Sequence, residues 1–547
     1  MKKMYNKVVT AAEAVSHIPD NAMIGIAGVN VAGTAMELID AIRDRYLEEG
    51  HPKDIDITNS GGNGYVHRLG VEGLVRTYYA GYPALDFGDH GLKFSDNNVI
   101  PVFHFTQGIG TQFYRAQAAG VPFLTKAPIG TYVDPRIDGP YANQKGKELG
   151  EKNNVVSVVE IAGEEYLHIN LPKVTVVLIR ATYGDADGNL VDYDEPIKNE
   201  ILPMALAAHN NGGIVIAQVK NLVEKGQILG AEVRVPGMLV DYVVPCSNKE
   251  QWFPQNNLMA RPPEVTGRKP GDDGYQPGLG GRHIVAKESI PFDMWEPTGT
   301  KMMMARRATA ELWPGCICNV GLGTPAGIPW IVAQEGVEDM YYQTIELGAI
   351  GGYTGGGLFF SAAFNARAYL NHDEMFSFID GHGLEITFLG AGNIGEDGSV
   401  NVTKISGRTN GSGGFVNISS STPKIVFTST HTAGGKAVIE DGKLKIIEQG
   451  KGPKFVKQVE QISFNGKVAV EKGQDVTYIT ERAVFKLING KLTLMEYAPG
   501  LDVEKDVIEP MEFRPEISAD LKQMDDYCFT LEPIGLKEKW ENLLKNL

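Results

Sequence analysis

The chain starts the same design twice, and this limits its fold more than any single motif. "NAMIGIAG" (Asn21–Gly28) reads as an apolar strand ending in glycine. "AMELIDAIRDRYLEEG" (Ala35–Gly50) follows as a helix with Leu38, Ile39, Ile42 and Tyr46 on one face, closed by Gly50 and Pro52. A second strand, glycine turn and helix start at "CICNVGLGTPAGIPWIVA" (Cys316–Ala333), just after the helical stretch "KMMMARRATAEL" (Lys301–Leu312). Later segments pair in the same order. "GDADGNLV" (Gly184–Val191) resembles "GEDGSVNV" (Gly395–Val402), both Asp-Gly turns leaving a strand, and "GGIVIAQV" (Gly212–Val219) answers "KIVFTST" (Lys424–Thr430). The expectation is an α/β fold: two similar open α/β domains with largely parallel sheets, fused in one chain. The boundaries expected are 1–246 for the first domain, 247–297 for a linker rich in Pro, Gly, Asn and Asp, and 298–547 for the second.

Composition narrows the function classes. A formal charge of −16 with no concentrated basic face excludes a nucleic-acid binder. No apolar run approaches the ~18 residues of a membrane span. The N-terminal "MKKMYNKVVTAAEAVSHIPD" is interrupted by Glu13 and makes a poor signal peptide, so the expected location is the cytoplasm. The pair Cys316 and Cys318 has no matching Cys or His pair to complete a tetrahedral metal set, and both read as buried strand residues. The C-terminal "GLKEKWENLLKNL" places Leu536, Trp540, Leu543, Leu544 and Leu547 at helical spacing, a packing stripe for the second domain or a partner subunit.

Two glycine-rich segments compete as ligand sites. "LEITFLGAGNIG" (Leu384–Gly395) contains Gly390-x-Gly392-x-x-Gly395, formally a dinucleotide fingerprint, but "EDGSVNV" follows where a helix would have to open. NAD binding is rejected on that ground. In "YYQTIELGAIGGYTGGG" (Tyr341–Gly357) a single carboxylate, Glu346, is followed by Gly348, Gly351, Gly352, Gly355, Gly356 and Gly357. Glycines crowded against one acid let backbone N–H groups and a bulky ligand approach it closely.

That segment resembles the class I coenzyme A transferases, in particular the acetate/propionate CoA-transferase branch. So do "FHFTQGIG", "GTYVDPR" (Gly130–Arg136), "RATYGDADGNL" (Arg180–Leu190), "PGMLVDYVV" (Pro236–Val244), "GSGGFVNISSSTPKIVF" (Gly411–Phe427), "TAGG" (Thr432–Gly435) and "YITERAVF" (Tyr478–Phe485). The resemblance implies ping-pong transfer of CoA between short-chain carboxylic acids through a thioester on Glu346, with no permanent cofactor or metal. It implies that Gly321, Gly323 and Pro325, with Gly411, Gly413 and Gly414, hold CoA and the thioester oxygen. Lys424 would pair with a CoA phosphate. The Gln107-Gly108 turn, Leu347, Gly348 and Glu481 would border the acyl group and orient the nucleophile. It also implies a homo-oligomer, dimer or tetramer. The family commonly has Ser or Asn where Leu347 stands, and Val31 and Ala35 also depart from the branch; all three would touch substrate choice. The alternatives are an acyl-CoA hydrolase on the same fold and a non-catalytic metabolite-sensing domain.

Overall fold

The structure is a computed structural model that describes residues 6–29, 32–84, 94, 98–193, 195–252, 296–354, 363–364 and 366–546. Most of the expected linker, together with Val31 and Gly355, Gly356 and Gly357, lies outside the described residues.

The first domain is built on strands β1 (Met23–Ile26), β2 (Ile55–Asn59), β3 (Val75–Ala80), β4 (Val102–His104), β5 (Val176–Asp185), β6 (Ile214–Val223) and β7 (Tyr242–Pro245). They lie in the order β7-β6-β5-β1-β2-β3-β4, and every neighbouring pair on this path is parallel. Helix α1 (Met36–Glu49) buries Leu38, Ile39 and Ile42 and ends at Gly50, whose φ of 75° is the left-handed conformation glycine adopts freely. Helix α2 (Gln107–Ala119) is capped by Thr106, whose hydroxyl accepts from Ile109 N. Gln107 and Gly108 are therefore the first turn of a helix rather than a free turn, because the Thr106 hydroxyl supplies an acceptor that the exposed amides need. Helix α3 (Ile201–Asn210) packs beside α2.

The second domain repeats the arrangement. Helix α4 (Gly299–Thr309) leads into β8 (Ile317–Val320) and β9 (Tyr342–Thr344). After them come the short β10 (Ala349–Ile350) and β11 (Ala368–Tyr369), then β12 (Ile386–Gly390), β13 (Lys424–Thr428), β14 (Asp475–Ile479), β15 (Ala483–Ile488), β16 (Lys491–Tyr497) and β17 (Glu516–Gln523). The order is β11-β10-β9-β8-β12-β13-β14-β15-β16-β17. β9-β8-β12-β13-β14 is parallel throughout; antiparallel pairs are added at both ends, and β17 closes the far edge parallel to β16. The opening strand of each domain sits between its second strand and a later one, so both sheets reverse order at the same place; ligands bind beyond the carboxyl ends of strands at such a switch point.

One hydrophobic cluster runs through both domains, joining Phe105, Ile109 and Phe113 to Phe376, Phe415 and Val416. Helices α2 and α5 (His372–Asp380) pack across the boundary, where Gln112 Nε2 donates to Asp380 Oδ2 at 2.7 Å. Cys316 and Cys318 are buried among apolar side chains, and burial raises the Cys316 thiol to about 11. The segment after Gly390 turns through Asn393–Gly395 into Val400–Asn401 as antiparallel strands, with no helix opening. Helix α6 (Leu536–Lys545) docks Leu536 and Trp540 on the second domain, Trp540 meeting Tyr341 edge-on. Leu543 and Leu544 are about half exposed, so the expected stripe is buried only over its first half, and Leu547 is outside the described residues.

Candidate active site

Strand β9 ends at Thr344, and the chain must reverse at once to form β10. It does so through Ile345–Glu346–Leu347–Gly348: Gly348 N donates to Ile345 O at 2.9 Å and Ile345 N to Ala349 O at 3.0 Å. Gly348 has φ of 105°, and a Cβ there would lie 2.0 Å from Leu370 O, so only glycine fits both the conformation and the space. This tight turn pushes the Glu346 side chain out beyond the carboxyl end of the sheet, into a cavity of about 630 Å³.

The cavity is walled by the ends of four neighbouring strands and by one loop. Gly321 to Thr324 follow β8, Glu346 and Leu347 follow β9, Leu389 to Gly392 end and follow β12, and Thr428 to Thr430 end and follow β13. The loop Asn410 to Phe415 closes one side, and Val29, Gly62, Tyr82 and Gln107 reach in from the first domain. Two glycines of that loop are pressed against functional groups: a Cβ at Gly414 would stand 3.4 Å from Glu346 Cγ, and one at Gly413 would stand 3.5 Å from Gln107 Oε1. Gln107 N also donates to Gly413 O at 2.8 Å. The two domains thus bring Gln107 and Glu346 to one loop.

The Glu346 carboxyl sits in a weakly polar pocket. Among the described residues its Oε2 is buried without a hydrogen-bond partner, and burial raises its pKa; its own backbone and the side chain of Asn319 oppose that rise only in part. An under-solvated carboxylate facing a cavity can act as a nucleophile.

The other expected site residues divide. Gly321, Gly323, Gly411, Gly413, Gly414, Gln107 and Leu347 line the cavity. Leu347 also packs with Val29, Ala32, Ile197, Ile345, Ala349 and Ala363 across the domain boundary, so it belongs both to the pocket wall and to a core. Pro325 is buried in the short turn that follows the Gly323 loop, behind the lining. Gly108 faces Asn417, which accepts from its N–H at 3.2 Å and would be 2.3 Å from a Cβ; it serves the domain contact, not the acyl wall. Ala35 is buried in the first domain's core beside Leu38 and Ile39 rather than in the lining.

Glu481 also stands back from the cavity. One oxygen accepts from His431 N at 2.8 Å, the other lies 3.4 Å from Arg482 Nε, and burial raises its pKa. Lys424 is at the opposite end of the sheet. It begins β13 whereas Thr428, at the other end of the strand, lines the cavity, and four residues of strand span roughly 13 Å. Its ammonium pairs with Glu311 at 2.8 Å and lies over Trp313. The cationic side chain that does line the cavity, among the described residues, is Lys454, whose Nζ donates to Ser429 Oγ at 3.1 Å and whose pKa burial lowers.

Sequence reasoning passed over Asn319, His372 and Lys454. Asn319 carried a signal, an amide inside an otherwise apolar strand start. Lys454, in "KGPKF", carried none.

Comparison with known proteins identifies the family. The profile of the family described as coenzyme A transferase matches residues 8–245. A caffeate CoA-transferase of Acetobacterium woodii is 36% identical over 548 residues, covering 98% of each chain. The acetate CoA-transferase YdiF of Escherichia coli K12 is 36% identical, covering 96% of each. The chain belongs to the coenzyme A transferase family, and it is a CoA-transferring enzyme. Two solved structures of the Escherichia coli O157:H7 acyl-CoA transferase YdiF superpose on it at 34% identity. The apoenzyme has a TM-score of 0.84 and covers 97% of this chain and 98% of its own, and a thioester complex with CoA has a TM-score of 0.85 and covers 97% of each. No helix among the described residues is long and apolar enough to cross a membrane.

Proposed function

We propose that the enzyme exchanges CoA between short aliphatic monocarboxylic acids by ping-pong transfer through a glutamyl-CoA thioester on Glu346. A carboxylate oxygen of Glu346 attacks the acyl-CoA carbonyl carbon, the C–S bond breaks, and CoA leaves as thiolate from a mixed anhydride. The thiolate attacks the glutamyl carbonyl, releases the first acid as carboxylate, and leaves CoA on Glu346. The second carboxylate attacks that thioester, and the same two steps in reverse restore Glu346. No redox change occurs, and each thioester is replaced by another of similar energy.

The observation that carries this reading is the buried Oε2 of Glu346, without a partner among the described residues, on the wall of a cavity formed where the two domains meet. Amides of the Gly321–Thr324 and Gly411–Gly414 loops would stabilise the oxyanion and hold the thioester, apart from those of Gly321, Gly411 and Gly413, which already donate to Phe388 O, Thr403 O and Gly81 O. The solved thioester complex of the Escherichia coli relative supports the covalent step. Val29, Leu322, Leu389, Val402 and Ile405 give the wall an apolar character suited to aliphatic chains. Lys454, in place of Lys424, would meet an anionic or carbonyl group of the substrates. Domain limits of 1–246 and 298–547, a cytoplasmic location and a dimer or tetramer complete the proposal; light scattering tests the last.

Incubation with acyl-CoA and no acceptor, followed by borohydride or hydroxylamine and peptide mass analysis, should place the modification on Glu346 alone. Label on another acid would overturn the assignment.

A further inference from the structure

A chain of buried polar groups runs from the core of the first domain, through the second, and back to the cavity. Glu200 sits at the start of α3, His372 opens α5 in the second domain, and Gln107 opens α2 in the first. The imidazole Nδ1 lies 2.8 Å from Glu200 Oε2, and Nε2 lies 2.6 Å from Gln107 Nε2. All three residues are at most 3% exposed. Glu200 is held below the usual carboxylate range: burial alone would raise it, and its contacts with His372, with Ser60 and with its own backbone together outweigh that.

The partners determine the direction of each hydrogen bond. A carboxylate only accepts, so Nδ1 carries the hydrogen and donates to Glu200, and in the neutral ring this leaves Nε2 as an acceptor. Gln107 must then turn its Nε2 toward the imidazole, because a flipped amide would set two lone pairs face to face at 2.6 Å. The backbone holds the imidazole in place: His372 N donates to Lys198 O at 2.7 Å, and Asn371 and Glu374 form a capping box around the helix start.

We propose that His372 and Glu200 are positioning residues of the transfer reaction. They lock the Gln107 carboxamide in one of its two flipped orientations, so that its remaining N–H is presented to a substrate oxygen beside Glu346. Substrate touches only Gln107; the imidazole and the carboxylate act through it. The amide would otherwise rotate between orientations that differ in whether a donor or an acceptor faces the reacting carbonyl, and a fixed donor needs no reorganisation as charge develops. This inference rests on the reading that Gln107 works in the transfer site, and its test separates the two.

The experiment is a double-mutant cycle on the full chain, measuring steady-state transfer and thermal midpoint for His372→Phe, Gln107→Ala and the pair. His372→Phe is expected to lower kcat on the order of 10- to 100-fold with KM for both substrates within about 2-fold. In the Gln107→Ala background the same change should cost less than about 2-fold, because its target is gone. His372→Gln, which returns an acceptor oxygen, should recover most of the lost kcat. The cycle is repeated with His372→Asn, a side chain too short to reach Gln107, so that the result does not depend on one variant folding. Full, additive losses in the Gln107→Ala background, or a raised KM with unchanged kcat, would overturn the relay. Wild-type transfer in Gln107→Ala alone would instead overturn the role given to Gln107.

Discussion

The two domains share a strand order but differ at the end of their second strand. In the first domain β2 ends at Asn59, and the backbone beyond it is covered: Cβ atoms at Gly81 and Gly110 would lie 2.3 Å from Ser60 O and 2.5 Å from Ser60 Cα. In the second, β9 ends at Thr344, and the turn that follows leaves Glu346 facing open space. The same position in the fold is a packing contact in one copy and the place of the proposed nucleophile in the other. The sheet supplies a switch-point crevice in both, and the local turn decides whether anything reactive stands in it.

The comparison breaks most sharply at Glu346. Glu346→Gln should lower transfer by at least ~10³-fold with an unchanged thermal midpoint, since covalent catalysis disappears without loss of a core group. Near-wild-type transfer would refute the covalent role. The wild-type acylation half-reaction has a pH sign as well. Because burial raises Glu346, the reactive carboxylate is present above its raised pKa and is lost as pH falls through it, at a higher pH than an ordinary glutamate would show. Stopped-flow acylation against pH checks this; a fall confined to the ordinary carboxylate range would contradict it.

Gly348→Ala tests the turn that separates the two copies. With φ of 105° and Leu370 O 2.0 Å from the added carbon, the turn must shift and carry Glu346 with it. The expectation is a stability loss of ~2–4 kcal/mol and, in protein still folded, a kcat lower by roughly 10- to 100-fold. Unfolding curves and active-site titration measure both, and an unchanged kcat would show that the turn does not aim the carboxylate.

Leu347→Ser probes the seam between the copies. Its side chain lines the cavity and also fills an interdomain cluster, so two effects should appear together: ~2–3 kcal/mol of lost stability and a shift in relative kcat/KM toward smaller or hydroxylated acids of about 10-fold. Competition assays with an acid panel decide it. A stability loss with no change in acid profile would assign Leu347 to packing alone.

The two lysines give the smallest and most pointed contrast. Lys454→Ala should raise KM for acyl-CoA by roughly 10-fold, an effect of about 1.4 kcal/mol, whereas Lys424→Ala should leave it within about 2-fold and cost ~1 kcal/mol of stability through Glu311. The reverse pattern would move the CoA site to the other end of the sheet.

The architecture was legible because it rests on periodicity. Apolar strand runs, Leu38, Ile39 and Ile42 on one helix face, and Gly50 at the helix end are all local signals, and each reappears in the fold. Rejection of the Gly390–Gly395 fingerprint was legible for the same reason, since a following strand can be read from neighbouring residues. Lys424 was misplaced because a lysine before a strand looks the same in sequence whichever end of the sheet it occupies. Gln107-Gly108 looked like a turn because capping by Thr106 competes with the glycine's own preference.

By itself, then, the sequence determined the doubled α/β design, the acid set among glycines and, through resemblance, the family. Tertiary structure decided which of those residues meet. The assembly of Gln107, His372 and Glu200, the insertion of Lys454 and the withdrawal of Glu481, Lys424 and Ala35 from the cavity all depend on contacts between residues far apart in the chain. Local pattern reports the face a side chain takes on its own element. Only the packing of one domain on the other sets what stands opposite that face, and the distance and burial of those opposing groups govern the chemistry of Glu346.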